Sequence, residues 1–399
     1  MQSSNDVYTQ LRSHLDTMPV AFPQSESGIE IDILKRFFTE DEARIALNLS
    51  MLPEPARRIH RRAQRRDHHI DLSTTEKLLH NLVKKKAVHS TLARKRGKIV
   101  RLYGKLPFAV GLYEFQVDRL TRDFEYEASA YMDEAFMEDF IQEKPRQMRT
   151  IPINETILPD RAVSQYDNIR HVIENSTGPF ALQNCVCRQG RELIGEQCRQ
   201  TEMKQTCLAL ESAASQVIAE NRGTKLTKQE TLDFLRQAEK EGLVLQAQNT
   251  QHPVFICSCC SCCCAILSRA KKLPNPGSFL HSNYIAKIDH TRCIGCTLCL
   301  PRCPMDAISM ADISNSKSTE ASAGGKAKPQ IAAVEPDRCI GCGLCVSACT
   351  SHAICMQRRG EVETPPKSAM GMYVKMLYGR FGFVKATALL LKAGIGLKV

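Results

Sequence analysis

The chain has 399 residues, enough for two or three domains with their own cores, and at 43% hydrophobic it is not a disordered chain. It has no apolar run of about 18 residues, the length a membrane span needs, and its start, MQSSNDVYTQLRSHLDTMPVAF, lacks a secretory pattern, so it reads as cytoplasmic. The net charge of +11 is local: Pro53–Lys105 holds sixteen Lys and Arg against four Asp and Glu. Attraction to an acidic partner therefore belongs to that region.

In chain order, residues 1–30 read as an irregular arm, and Ile31–Phe38 as a short helix. Thr39-Glu40-Asp41-Glu42 is a capping box that opens a second helix through Ser50. Pro53 and Pro55 precede an Arg-rich helix, PARRIHRRAQRR. A second capping box, Ser73-Thr74-Thr75-Glu76, precedes the helix LLHNLVKKKAV. VHSTLARKRGKIVRLYGKL alternates as two strands around a turn at Arg96-Gly97.

Three helices followed by a basic hairpin resemble a winged helix-turn-helix. That resemblance implies DNA contact through the Ser73–Lys86 helix, with Lys84, Lys85, Lys86, Lys95, Arg96 and Lys98 as candidate contacts. Such domains also dock proteins, and for a cysteine-rich chain DNA is the lesser expectation. Glu114–Glu143 reads as an acidic helical stretch whose Tyr131, Met132, Phe136, Met137 and Phe140 form a core stripe. An extended linker, RTIPINETILP, follows.

All 19 cysteines lie between Cys185 and Cys355. In a long chain without an export signal, clustered cysteines read as metal ligands or redox centres rather than disulfides. A helical middle domain is expected from 151 to 275, starting with a helix around Val163–Glu174. Its second helix is capped by Thr227–Glu230, packs through Leu232, Leu235 and Ala238, and stops at Gly242.

The middle domain carries ten cysteines: Cys185, Cys187, Cys198, Cys207, Cys257, Cys259, Cys260, Cys262, Cys263 and Cys264. Together they are expected to form a split third metal site, an iron–sulfur cluster or two in preference to zinc or inert thiols. Arg188 and Arg199 would offset its charge.

The strongest signal is a repeat with an offset of 46 residues. RCIGCTLCLPRCPMDAISM (Arg292–Met310) and RCIGCGLCVSACTSHAICM (Arg338–Met356) share 11 of 19 positions, and each holds C-x2-C-x2-C-x3-C. Three closely spaced thiolates on a tight loop suit three irons of a cubane. Zinc normally takes two spaced pairs instead.

This region, 276–360, resembles the bacterial two-[4Fe–4S] ferredoxin module. By that resemblance one cluster takes Cys293, Cys296, Cys299 and Cys349, and the other takes Cys339, Cys342, Cys345 and Cys303. Cys349-Thr350 departs from the usual Cys-Pro, and the linker Asp312–Pro336 is longer than usual. Cys355 falls outside the ligand positions and reads as a buried structural cysteine.

The whole order also resembles uncharacterised bacterial 4Fe–4S proteins with a winged-helix-like N-terminal part, which implies electron transfer in anaerobic metabolism. The expected architecture is α+β and multidomain: a mainly helical winged-helix-like domain (1–150), the middle domain, the ferredoxin-like domain, and a basic apolar tail (361–399).

The tail is expected to be a helix packed on the protein itself, on a membrane surface or on a partner. No nucleotide or flavin loop is present. The expected role is an electron carrier, or an electron-transfer subunit, serving a redox partner. The alternatives are a redox-sensing DNA-binding regulator and an iron–sulfur subunit of an oxidoreductase complex.

Overall fold

A computed structural model describes residues 6–95, 97–153, 165–312 and 330–394. Its contacts divide the chain into two compact units. The first comprises Met1–Pro145, Gln189–Glu196 and Tyr373–Val399, and the second Arg146–Arg188 and Gln197–Met372.

The first unit begins with α1 (Val7–Leu15), α2 (Ile29–Phe37) and α3 (Glu40–Ala46). The arm expected at the start is thus partly helical, and Asp6 caps α1 by accepting from the Thr9 N–H. The Thr39/Glu42 capping box forms as expected, with both bonds present, although its helix stops at Ala46.

β1 (Glu54–Pro55), α4 (Ala56–Gln64), α5 (Leu72–Lys84), β2 (His89–Lys95) and β3 (Lys98–Gly104) follow, and the three strands pair in the order β1-β3-β2. The start of α5 differs from the expectation. Asp71, not Ser73, is the cap, because its carboxylate reaches the Thr74 N–H at 2.6 Å.

Beyond the hairpin lie α6 (Arg122–Tyr131) and α7 (Met137–Gln142). Tyr131, Met132, Phe136, Met137 and Phe140 are all buried. Phe108 packs against Tyr131 and Phe136 with ring centroids 5.0 and 5.2 Å apart, so the stripe is core.

The second unit corrects the helical middle domain. It is built on a six-stranded antiparallel sheet, β4-β8-β9-β6-β5-β7. The strands are β4 (Met148–Ile151), β5 (Phe180–Asn184), β6 (Gln205–Leu210), β7 (Gly223–Leu226), β8 (Val244–Gln248) and β9 (Phe255–Cys259). Runs such as TCLAL and VLQAQ are short and mostly buried, so their strand character shows little alternation.

The first residues of the supposed linker form the edge strand β4, and residues 154–164 lie outside the described residues. Between the strands sit α8 (Ile169–Asn175), α9 (Val186–Leu193), α10 (Glu211–Ala219) and α11 (Lys228–Lys240). α8 is shorter than expected. α11 has the expected cap, with Leu235 and Ala238 buried and Gly242 at φ +76° behind it.

α12 (Ala265–Ala270) and α13 (Pro276–Phe279) lead to the repeat, which folds as β10 (Tyr284–Ile288), β11 (Ile308–Asp312), β12 (Gln330–Val334), α14 (Leu344–Ser347) and β13 (Ile354–Arg358). β10 pairs with β13, and β11 with β12, both antiparallel. Under the 46-residue offset these two pairs exchange, so the module is a pseudo-twofold of its own halves.

α15 (Ala369–Gly394) ends the described chain. From Tyr373 onward it belongs to the first unit, where Met376, Leu377, Ala386 and Ala393 are buried. Arg380 donates to Met18 O at 2.8 Å and to Asp16 Oδ1 at 2.5 Å. Gly382 interrupts the helix at φ +71°. No helix among the described residues is long and apolar enough to cross a membrane.

Candidate metal centres

The two halves of the repeat hold their cysteines on matching loops. Gly295 and Gly341 lie at φ +69° and +68°, and Thr297 and Gly343 at +64° and +82°. A Cβ on Gly295 would collide with the Gln330 carbonyl, and one on Gly341 with the Tyr284 carbonyl, so both positions require glycine.

The last cysteine of each run accepts an equivalent bond: Ala307 N–H to Cys303 Sγ at 3.1 Å, and Ala353 N–H to Cys349 Sγ at 3.2 Å. The Ala332 N–H also points at Cys293 Sγ, at 3.5 Å.

Two cavities open between the halves. One is lined by Cys293, Cys296, Cys299 and Cys349. The other is lined by Cys303, Cys339, Cys342 and Cys345. Each cavity therefore draws three thiols from one half and the fourth from the other.

Thiolate donors and aimed N–H groups suit an iron–sulfur cluster. Burial pushes the thiols of Cys299, Cys303, Cys342 and Cys345 upward, so metal loading must release their protons. Cys355 lines neither cavity, and it is half-buried on β13 opposite Lys287, not buried as expected.

The two loops differ in surroundings. Ile294 and Leu298 are 70% and 47% exposed, whereas their counterparts Ile340 and Leu344 are 2% and 0% exposed. Cys296 is exposed and Cys342 buried. The second loop is held by Ile153, whose N–H meets Cys342 O at 3.2 Å, and by Arg359, which donates to Cys339 O at 2.7 Å.

Four of the ten middle cysteines are brought together as one group. Cys198, Cys260, Cys262 and Cys263 bring their sulfurs within 4.8 Å of one another, and among the described residues they are the only such metal-ligand group. Four of the contacts are Cys198–Cys260 at 3.6 Å, Cys198–Cys262 at 3.8 Å, Cys260–Cys262 at 3.4 Å and Cys262–Cys263 at 3.7 Å.

A metal–sulfur bond of about 2.3 Å in a regular tetrahedron gives edges of about 3.8 Å. The quartet thus fits a single ion. A cubane would hold its ligand sulfurs farther apart, because each sits outward of a different iron.

Buried Arg188 spans the region. It donates to Thr206 Oγ1 at 2.6 Å, to Met203 O at 3.0 Å and to Cys260 Sγ at 3.5 Å. Its buried Nε has no hydrogen-bond partner. A hydrogen bond from Cys263, aided by Arg188, pulls the Cys260 thiol down to about 4, and Cys263 is pushed up in return. Arg199 contributes its backbone N–H, to Cys262.

The loop carrying Cys198 and the loop carrying Cys303 converge on the end of α11. Gln200 donates to Glu241 O at 2.7 Å, while Arg302 donates to Glu239 O at 2.9 Å and Lys240 O at 3.1 Å. Gly242 lies between Gln200 and Arg302, where a Cβ would strike both.

Several cations of the N-terminal basic region are internally engaged. Arg62 is buried against Glu54 and Asn48 O, and Lys85 pairs with Glu42 at 2.6 Å. Lys84 and Lys98 are exposed and Lys86 is half-buried. Arg96 and the side chain of Lys95 lie outside the described residues.

Residues 292–362 match the model of the 4Fe-4S dicluster domain. No curated protein and no solved structure gives a significant match. The chain thus carries a C-terminal iron–sulfur module of the kind that serves electron transfer.

Proposed function

We propose that the chain is a multi-cluster electron-transfer protein working between a donor and a partner reductase. Cys293, Cys296, Cys299 and Cys349 hold one [4Fe–4S] cluster, and Cys303, Cys339, Cys342 and Cys345 hold the other. The observation that carries this reading is the pair of cavities, each lined by a complete quartet drawn from both halves of the repeat.

When bound, each cluster supplies a one-electron carrier. The protein aims N–H groups at the thiolates, seals the second loop from water, and presents the first loop, Ile294–Leu298, as the apolar face for the redox partner. Cys198, Cys260, Cys262 and Cys263 hold one structural zinc that ties the Cys198 loop to the turn after β9.

The test is iron per chain on anaerobically purified protein. Cys296→Ala and Cys342→Ala are each expected to remove up to about four of about eight ferredoxin irons, with the matching loss of visible absorbance. Unchanged iron in both variants overturns the ligand assignment.

A further inference from the structure

Six cysteines remain once the two ferredoxin quartets, the Cys198 quartet and Cys355 are set aside: Cys185, Cys187, Cys207, Cys257, Cys259 and Cys264. The sheet gathers them. Cys207 on β6 lies directly opposite Cys257 on β9, and Cys259, two residues on, shares the face of Cys257.

Cys264 caps α12, its Sγ accepting from the Leu267 N–H at 3.5 Å. Cys185 is held between β5 and α9 by a 3.0 Å bond from its N–H to Lys204 O, and Cys187 sits in the first turn of α9. Gln183 donates to Cys207 Sγ at 3.4 Å.

The six thiols influence one another in series: Cys185 with Cys187, Cys187 with Cys264, Cys264 with Cys259, Cys259 with Cys257, and Cys257 with Cys207. Cys259 and Cys264 are buried and the other four half-buried, and none forms a disulfide.

Spacing decides what such a group holds. No three of these sulfurs lie within 4.8 Å of one another, whereas a single tetrahedral ion needs four within about 3.8 Å. The wider spread is shared with both ferredoxin quartets, which also fall outside that limit. The Cys198 quartet, in the same unit, shows what a one-ion site looks like in this chain.

We infer that Cys185, Cys187, Cys207, Cys257, Cys259 and Cys264 form a fourth metal centre, separate from the Cys198 site, that takes a polynuclear iron–sulfur cluster. Arg188 stands between the two sites, facing Cys185 on one side and bonded to Cys260 on the other. One buried cation thus offsets the charge of both.

The comparison with the ferredoxin quartets rests on the function proposed above, and the experiment separates the two. Iron, sulfide and zinc are counted per full-length chain after anaerobic purification. At least about twelve irons with about one zinc are expected, since two cubanes account for about eight irons.

Cys257→Ser/Cys259→Ser should return iron to about eight and leave zinc in place. Cys198→Ser/Cys263→Ser should lose the zinc and keep the iron. About eight irons in the wild-type chain overturn the inference, and three zincs beside them would mark a zinc-thiolate site instead. That wild-type count decides even if a variant fails to fold.

Replacing Cys293, Cys296, Cys339 and Cys342 together by Ser should leave about four irons. No iron remaining counts against the fourth centre. Full retention of iron would instead sink the ferredoxin assignment.

Discussion

The two copies of the repeat share the run Cys-Ile-Gly-Cys and the same backbone turn, yet their isoleucines meet opposite fates. Ile294 stands in solvent, and Ile340 is buried. The motif fixes the turn and the ligand directions, and the rest of the chain decides which cluster site faces outward. The same local motif is thereby left exposed in one copy and buried in the other.

The comparison can be broken most directly at the leucines. Leu344→Ala, which empties a fully buried position, is expected to cost about 2–5 kcal/mol. Leu298→Ala should change stability by no more than about 0.5 kcal/mol. Denaturant unfolding of the loaded protein measures both, and equal losses would erase the distinction.

A chelator offers a second cut. The half of the ferredoxin iron behind exposed Cys296 should leave in a fast phase and the other half slowly; a single phase would contradict the asymmetry. The smallest effect is on potential. Reduction adds negative charge, and water stabilises that charge better than a sealed interior. The outer cluster should therefore titrate at the higher potential, and two coincident couples would remove that sign.

The ferredoxin module was legible because its ligands lie within a few residues of one another and recur at a fixed offset. The middle domain was not. Cys207 and Cys257 are brought together only by strand pairing across a long stretch of chain. The sequence could not show that Cys260, Cys262 and Cys263 turn toward Cys198 while Cys257, Cys259 and Cys264 face another group.

Buried strands without clear alternation passed for parts of a helical domain. At α5 two cap-forming residues compete, and only the geometry of Asp71 decides between them. The basic run gave its net charge correctly but not its use, since Arg62 is committed to the interior. The exposure of Ile294 is likewise invisible locally, because the same four-residue run leaves Ile340 buried.

The end of α11 serves two cysteine loops at once. Its last carbonyls are claimed by Gln200 from one cysteine loop and Arg302 from another. The Cys198 loop and the Cys303 loop therefore settle against one shared helix end.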